Sequence, residues 1–434
     1  MQRLLRRVAV IGGMRIPFCR SNTFYADLSN LELMTGALNA LVDRYNLKGQ
    51  HIDEVVGGAI VTHSKDYNLA REAVLGTRLA PSTPGITMMQ ACGTSLQGAL
   101  GSAAKIASGE IDCAIAVGSD TTSDAPIVVS KKLAQRLTKA SLQKSTLDKL
   151  KMFKGFSPAE LLPKPPSVAE PRTGLTMGEH CELMAQVWDI SRADQDQFAL
   201  ESHKKAADAY RSGYMDDLVT PFEGVFRDNN IREDATLEKL STLKTAFEKG
   251  ERGTLTAANS TPLTDGAAAV LLASEEWAAK RGLPVLAYLT YAQTAANDFV
   301  GGDGLLMAPT IAVSKMLDRA GLKLQDFDLY EIHEAFAAQV LSTLKAWENA
   351  DYCKERLGKP EPLGSIDRSK LNVRGSSIAF GHPFAATGAR ILANLAKLLS
   401  EQGGRGLISI CTAGGMGVAA ILETIDAAEM HQAA

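Results

Sequence analysis

Cysteine is scarce in this chain and widely scattered. Cys19, Cys92, Cys113, Cys181, Cys353 and Cys411 are the only six in 434 residues, and no two form a Cys-x-x-Cys pair. A disulfide scaffold is thereby excluded, and the short ligand spacings of common zinc sites are missing. Long apolar runs are also missing, because no stretch approaches the ~20 apolar residues of a membrane helix. Met1–Arg7 is basic, but the apolar run Val8–Ile11 behind it is far too short for a secretory leader. Charge of one sign is not in excess either. The 46 Lys+Arg against 49 Asp+Glu leave a formal net charge of −3, which argues against nucleic acid as the main partner. These absences predict free thiols in a reducing, cytoplasmic setting and no integral membrane segment. What remains, 45% hydrophobic and 22% charged residues, is ordinary for a globular protein with two or three domains and a large core.

An internal repeat organises the chain. Leu41-Val42-Asp43-Arg44 followed by His51–Val56 recurs as Met316-Leu317-Asp318-Arg319 followed by Asp326–Glu331, at an offset of 275 residues. Each copy reads as helix, turn and apolar strand. Cys92-(x5)-Gly98 then matches His382-(x5)-Gly388, each leading into an Ala-rich helix and an apolar strand (Cys113–Val117, Gly406–Cys411). A third pair, Gly266–Leu272 and Gly417–Leu422, shows the offset falling from 290 to 151 residues, so about 139 residues are inserted in the first half only. Continuous apolar strands mean sheets covered on both faces, hence an α/β fold of two duplicated halves. The predicted division is residues 1–120, an inserted segment 121–252, a return over 253–283, and a second half over 284–434. The insertion carries a basic run, Lys131, Lys132, Arg136, Lys139, Lys144, Lys149, Lys151 and Lys154, against the single acid Asp148. It reads either as a solvated helical face or as a site for an anionic partner: a nucleotide phosphate, a membrane surface or another subunit.

Four motifs carry the chemistry. Cys92 sits between an apolar strand and an Ala-rich helix, where free N–H groups and the helix dipole are expected to lower a thiol pKa. His333 follows the strand Phe327–Ile332. His382 lies in Gly381-His382-Pro383-Phe384-Ala385-Ala386-Thr387-Gly388, whose glycines allow close backbone approach. Cys411 begins Cys411-Thr412-Ala413-Gly414-Gly415-Met416-Gly417, a turn that exposes backbone N–H groups. Taken alone, such residues more often mark a packed turn or a hydrogen-bonded structural histidine. If the halves meet with pseudo-two-fold symmetry, however, Cys92 and His382 come together at two helix N-termini, with His333 and Cys411 at strand ends where open α/β sheets place their sites. Two thiols and two imidazoles make a poor structural device but supply a nucleophile, its base, a second base and oxyanion donors. No metal is expected.

Taken together, these motifs resemble the thiolase family. Arg15-Ile16-Pro17-Phe18 and Asn259-Ser260-(x4)-Asp265-Gly266-Ala267-Ala268 match it as well, and the resemblance spans essentially the whole chain. His333, where many thiolases carry asparagine, together with the long insertion, looks like the branch containing the thiolase subunit of bacterial fatty-acid oxidation complexes. The resemblance implies a five-layered α-β-α-β-α fold built from two halves with mixed sheets, plus an inserted loop domain that binds CoA. It implies cleavage of 3-ketoacyl-CoA to acetyl-CoA and a shortened acyl-CoA, or the reverse condensation, by a ping-pong route through acyl-Cys92.

In that scheme His382 takes the Cys92 proton and Cys411 is the acid/base at the α-carbon. Nε2 of His382, with a water positioned by His333, stabilises the enolate oxygen. Backbone N–H groups of Cys92 and Ala413 form a second oxyanion hole, each donor worth roughly 3–4 kcal/mol. Met177, Ser260 and Phe336 line the pantetheine channel. CoA and acyl-CoA are substrates, with no tightly bound cofactor. A homodimer or homotetramer is implied, with room for a hydratase/dehydrogenase subunit. Two departures stand out: Ser376 replaces the second residue of a usual Gly-Gly pair, and Ala413 replaces a common glycine. A decarboxylating ketoacyl synthase needs no second cysteine base, so Cys411 favours thiolase chemistry. A silent acyl-CoA-binding scaffold would have lost reactive residues, and all four are kept.

Overall fold

The apolar runs become the inner strands of one mixed sheet. A computed structural model describes residues 5–424; Met1–Leu4 of the basic start and residues 425–434 of the second half lie outside them. Among the described residues the strands are β1 (Val8–Arg15), β2 (Cys19–Arg20), β3 (Glu54–Gly58), β4 (Gly85–Thr87), β5 (Cys113–Asp120), β6 (Thr264–Ser274), β7 (Ala287–Ala296), β8 (Leu329–Ile332), β9 (Arg405–Thr412) and β10 (Met416–Glu423). Their order is β4-β3-β5-β6-β1-β7-β10-β9-β8, with β2 added to β6. The order mirrors itself about the β1–β7 contact, as a duplicated sequence requires. The helix-linked neighbours run parallel (β3 with β4 and β5, β8 with β9) and the rest antiparallel. The halves join through only two register pairs, Ala9 with Tyr288 and Val10 with Ala287.

Five layers result. The Ala-rich helices Thr94–Ser108 and Thr387–Gln402 pack on each other between the half-sheets, their small residues allowing close approach, and they share one core with Val56, Ala116, Val270, Ile408 and Val418. Helix Asn30–Arg44 covers the outer face of the first half. Helices Ala308–Ala320 and Ala337–Glu348 cover that of the second. Ser29 and Glu32 form a capping box that starts the first of these.

In the second half β9 and β10 are joined by the turn Ala413–Gly415, whereas residues 121–263 stand between β5 and β6. Within this long connection, Val128 and Lys164 exchange backbone hydrogen bonds and close off an excursion that folds largely on itself, with helices Lys131–Ser141 and Thr146–Lys151. Arg136 is not a free cation on this excursion. Its guanidinium is spent on Glu160 and on the carbonyls of Met152, Lys154 and Gly155. Lys131 and Lys132 stay exposed. The connection is tied to the body by Arg15, whose two terminal nitrogens each meet an oxygen of buried Asp228 at 2.6 Å. No helix among the described residues is long and apolar enough to cross a membrane.

Candidate active site

Cys92 lies in the short turn Ala91–Gly93, directly before the first half's central helix. Ala91 is held at φ 45°, a left-handed conformation that costs an L-residue of order 1–3 kcal/mol. Thr94 stabilises the turn by donating to Ala91 O at 2.8 Å and accepting from the Gln90 N–H at 2.8 Å. Cys92 is the one cysteine of six that keeps partial exposure. The corresponding helix of the second half arrives beside it. Ala389 N donates to Ser95 Oγ at 2.8 Å, and a Cβ on Gly388 would strike the backbone of Leu96. Glycine there is what lets the two helix N-termini meet.

His382 follows Gly381, whose φ of 106° and closeness to Thr264 demand a residue without Cβ. Its Nε2 lies 3.1 Å from Cys92 Sγ, and its Nδ1 2.6 Å from Thr387 Oγ1. Pro383 stands before the turn Phe384–Ala386 rather than inside the helix, which begins at Thr387. The predicted lowering of the Cys92 thiol is not what the surroundings produce. Desolvation pushes it up to about 12, against the opposing pull of the N–H groups of Ala413 and of Cys92 itself. His382 is pushed down to about 3 by burial and by the Arg390 charge. The helix dipole is therefore outweighed, and the pair rests as neutral thiol and neutral imidazole.

His333 continues β8, its N–H donating to Ser409 O at 2.9 Å. Asn372, itself at φ 45°, braces this strand end through both the N–H and the C=O of Ile332. The His333 ring lies 4.2 Å from that of His382 between centroids. Its Nδ1 meets Ser377 Oγ at 2.9 Å, while its Nε2 is buried without a partner. Burial, then the charges of His382 and Arg390, hold it well below the usual imidazole range.

Cys411 is the penultimate residue of β9, opposite Gly417 of β10. Burial first, then Cys92 and Cys181, hold its thiol protonated well above the usual range. It shares one apolar cluster with Met177, Phe336, Phe247 and Phe299. Residues 259–261 pair with 335–337, bringing Ser260 against Phe336. Ser260 Oγ is buried and has no hydrogen-bond partner among the described residues. Cys92, His333, His382, Cys411, Ala413, Met177, Ser260 and Phe336 thus converge on one region.

Four contributors escaped sequence reasoning. Thr387 holds His382. Glu170, from the long connection, accepts the Gly414 N–H at 2.8 Å and so fastens the turn that carries Ala413. Ser377 and Arg390 stand behind His333. Two of them left a signal: Thr387 as a member of the motif around His382, and Arg390 as a lone charge in an otherwise apolar helix turn. Ser376, the departure from Gly-Gly, has extended backbone open to any residue and accepts from Arg390 at 3.1 Å.

One ligand atom each from Cys92, His333 and His382 lies within 4.8 Å of the others, close enough for a soft metal ion. Sequence spacing could not reveal this, because the three come from distant segments.

Comparison with known proteins gives the family. The model described as the thiolase N-terminal domain matches residues 8–276, and that of the thiolase C-terminal domain matches residues 283–424. The chain belongs to the thiolase family. This thiolase-family chain is 43% identical over 424 residues to a 3-ketoacyl-CoA thiolase of Yersinia pestis (strain Pestoides F), covering 96% of this chain and 97% of that one. A 3-ketoacyl-CoA thiolase of Yersinia pseudotuberculosis serotype O:1b (strain IP 31758) matches equally, at 43% identity and the same coverage. Among solved structures, the Bacillus anthracis acetyl-CoA acetyltransferase superposes with a TM-score of 0.80 at 30% identity, over 97% of this chain and all of that one. Human mitochondrial 3-ketoacyl-CoA thiolase also gives 0.80, at 28% identity over 97% of this chain and 100% of the other. A thiolase framework thus surrounds the Cys92–His382 pair.

Proposed function

We propose that the chain is a thiolase that cleaves 3-ketoacyl-CoA with coenzyme A, giving acetyl-CoA and a shortened acyl-CoA, and that also runs the reverse condensation. The observation that carries this reading is the neutral Cys92–His382 pair, 3.1 Å apart, with a second protonated thiol, Cys411, in the same region.

In cleavage, Cys92 sulfur attacks the 3-keto carbon as its proton passes to His382 Nε2. That requires the Nδ1–H of His382 to donate to Thr387 Oγ1, leaving the Nε2 lone pair toward sulfur. The N–H groups of Cys92 and Ala413, which already face the sulfur, hold the tetrahedral oxyanion. The C2–C3 bond then breaks and its electron pair forms the acetyl-CoA enolate, whose oxygen lies against His382 and His333. Cys411 delivers the α-proton and is reprotonated from the His382 side, so the proton lost by Cys92 ends on the acetyl methyl. CoA thiol next attacks acyl-Cys92 and returns its proton to the Cys92 sulfur. A Cys411 held protonated by burial is the acid that this direction needs.

Met177, Ser260 and Phe336 line the pantetheine channel, supported by the cluster that Met177 and Phe336 share, by the pairing of Ser260 with Phe336 and by the unpartnered Ser260 hydroxyl. Residues 121–252 form the inserted CoA-binding domain, supported by Glu170 reaching the catalytic turn. A homodimer or homotetramer is supported by the sheet edge β4, which exposes Ile86, and by exposed Met89 beside it. Fatty-acid β-oxidation is supported by the similarity to 3-ketoacyl-CoA thiolases; a cytoplasmic setting and a hydratase/dehydrogenase subunit are carried over from the resemblance in sequence. The Lys-rich excursion with exposed Leu142, Leu147 and Leu150 is the surface offered to an anionic partner.

The test is a pair of variants. Cys92→Ser abolishes covalent labelling by acetyl-CoA, whereas Cys411→Ala still acylates but neither cleaves nor condenses. Full thiolytic turnover in Cys411→Ala would end the two-cysteine mechanism. A kcat/KM series from acetoacetyl-CoA to 3-ketohexadecanoyl-CoA sets the chain length.

A further inference from the structure

His333 and His382 direct their Nε2 atoms into the same region, yet the groups behind them differ. Behind His333, Ser377 Oγ meets Nδ1 at 2.9 Å and is itself held at 2.7 Å by Nη2 of Arg390. Among the described residues these are the two hydrogen bonds of that hydroxyl. A guanidinium can only donate. One lone pair of Ser377 Oγ is therefore taken, and the cation beside it disfavours a second donor on that oxygen, so the hydroxyl's own hydrogen is the one aimed at His333 Nδ1. An imidazole that accepts at Nδ1 carries its proton on Nε2, the atom left buried without a protein partner. We infer that Arg390, acting through Ser377, locks His333 as the Nε2–H tautomer, so that it always offers a neutral N–H donor to the enolate oxygen or to the water beside it.

The relay is built to be rigid. Arg390 is 4% exposed, and both terminal nitrogens also reach Ser376 Oγ at 3.1 Å. Its charge is answered by Glu331, 4.0 Å away and anchored by Asn394, and by the field of Glu334. Both oxygens of Glu334 are taken, by Ser202, Asn372 and the Ile378 N–H that starts the short helix after Ser377. The same cation opposes protonation of His333. Among the described residues no such donor falls on Thr387 behind His382, so that imidazole is free to present its Nε2 lone pair to Cys92. Two chemically identical rings are set to opposite duties, one as base and one as donor. Arg390 and Ser377 are positioning residues, since they act through His333 on a reaction they do not touch.

This inference rests on His333 serving the enolate oxygen. The direct test is ¹⁵N-histidine NMR of the full chain at neutral pH. His333 is expected as the Nε2–H tautomer, and as a mixture in Ser377→Ala; an Nδ1–H tautomer in the unaltered protein would overturn the relay. Kinetically, Ser377→Ala is expected to lower cleavage and condensation ~10- to 100-fold, part of one oxyanion donor's worth, with KM within about twofold. Covalent acetylation of Cys92, which forms no enolate, continues in that variant, and Ser377→Thr, which keeps the hydroxyl, restores turnover. An asparagine amide donates without tautomers, so in a His333→Asn background Ser377→Ala is expected to cost less than about twofold. An equal cost in both backgrounds would make Ser377 merely structural and sink the proposal. Full activity in His333→Ala would remove the donor reading itself, a failure separable from the tautomer, which the NMR reads independently.

Discussion

Nε2 of His382 and Sγ of Cys92 stand 3.1 Å apart although the two residues are 290 positions apart in the chain. Neither residue is activated by its own segment. Their surroundings keep both neutral, so the thiol becomes a nucleophile only as its proton moves to the ring during attack. The contact exists because two equivalent helices, one from each copy of the repeat, bring their N-termini together.

His382 is held down at about 3, so it stays neutral far below the ordinary imidazole value of about 6.5. Acetylation of Cys92 is therefore expected to show no acidic limb near pH 6.5 in a pH–rate profile. A limb at that value would mean that His382 titrates like a solvent-exposed ring. The sign for stability follows from linkage. As pH falls from about 6.5 toward 3, the unfolded chain takes up a proton that the folded chain refuses, so this group's contribution to stability is lost on acidification.

Glu170 bonds to Gly414 N–H at 2.8 Å and so sets the turn that carries the Ala413 donor. Glu170→Ala is expected to cost kcat up to about 10²-fold, approaching the loss of one oxyanion donor, with little change in KM. Glu170→Gln keeps an acceptor and most of the rate. Steady-state kinetics of both variants decide; equal losses would show that the negative charge matters rather than the hydrogen bond.

Asp228 accepts from both terminal nitrogens of Arg15, from the Phe18 N–H and from the Tyr210 hydroxyl. Asp228→Ala leaves the guanidinium buried and unpaired. A stability loss of about 3–5 kcal/mol is expected, measurable as a lower midpoint in urea. A loss below about 1 kcal/mol would mean that water reaches Arg15 and replaces the carboxylate.

Zinc offers a probe of the site. Cys92, His333 and His382 can each give one ligand atom within a 4.8 Å cluster, and both rings arrive neutral, as metal binding requires. Excess Zn²⁺ is expected to stop acetylation, a chelator to restore it, and prior acetylation of Cys92 to protect. Inhibition that persists unchanged in His333→Asn would place the ion elsewhere.

Much of this was written in local pattern. The repeat of helix, turn and apolar strand dictates the mirrored sheet order, because continuous apolar strands have to be covered on both faces and equal segments find equal places. The motifs around Cys92, His333, His382 and Cys411 were legible because glycines and small residues at strand ends expose backbone N–H groups, whatever surrounds them. Ionisation was not legible. The expectation of a lowered Cys92 thiol weighed the helix terminus, a local feature, and could not weigh desolvation, which depends on every segment packed around the sulfur. Arg136 likewise counted as a free cation by composition and proved to be a pin for Glu160 and three carbonyls. Ser377, Arg390, Thr387 and Glu170 acquire their roles from a few ångströms of direction between distant elements. Periodicity and turn chemistry act within a dozen residues of chain and can be read along it; burial and hydrogen-bond direction are sums over neighbours in space, and only the folded arrangement of both halves determines them.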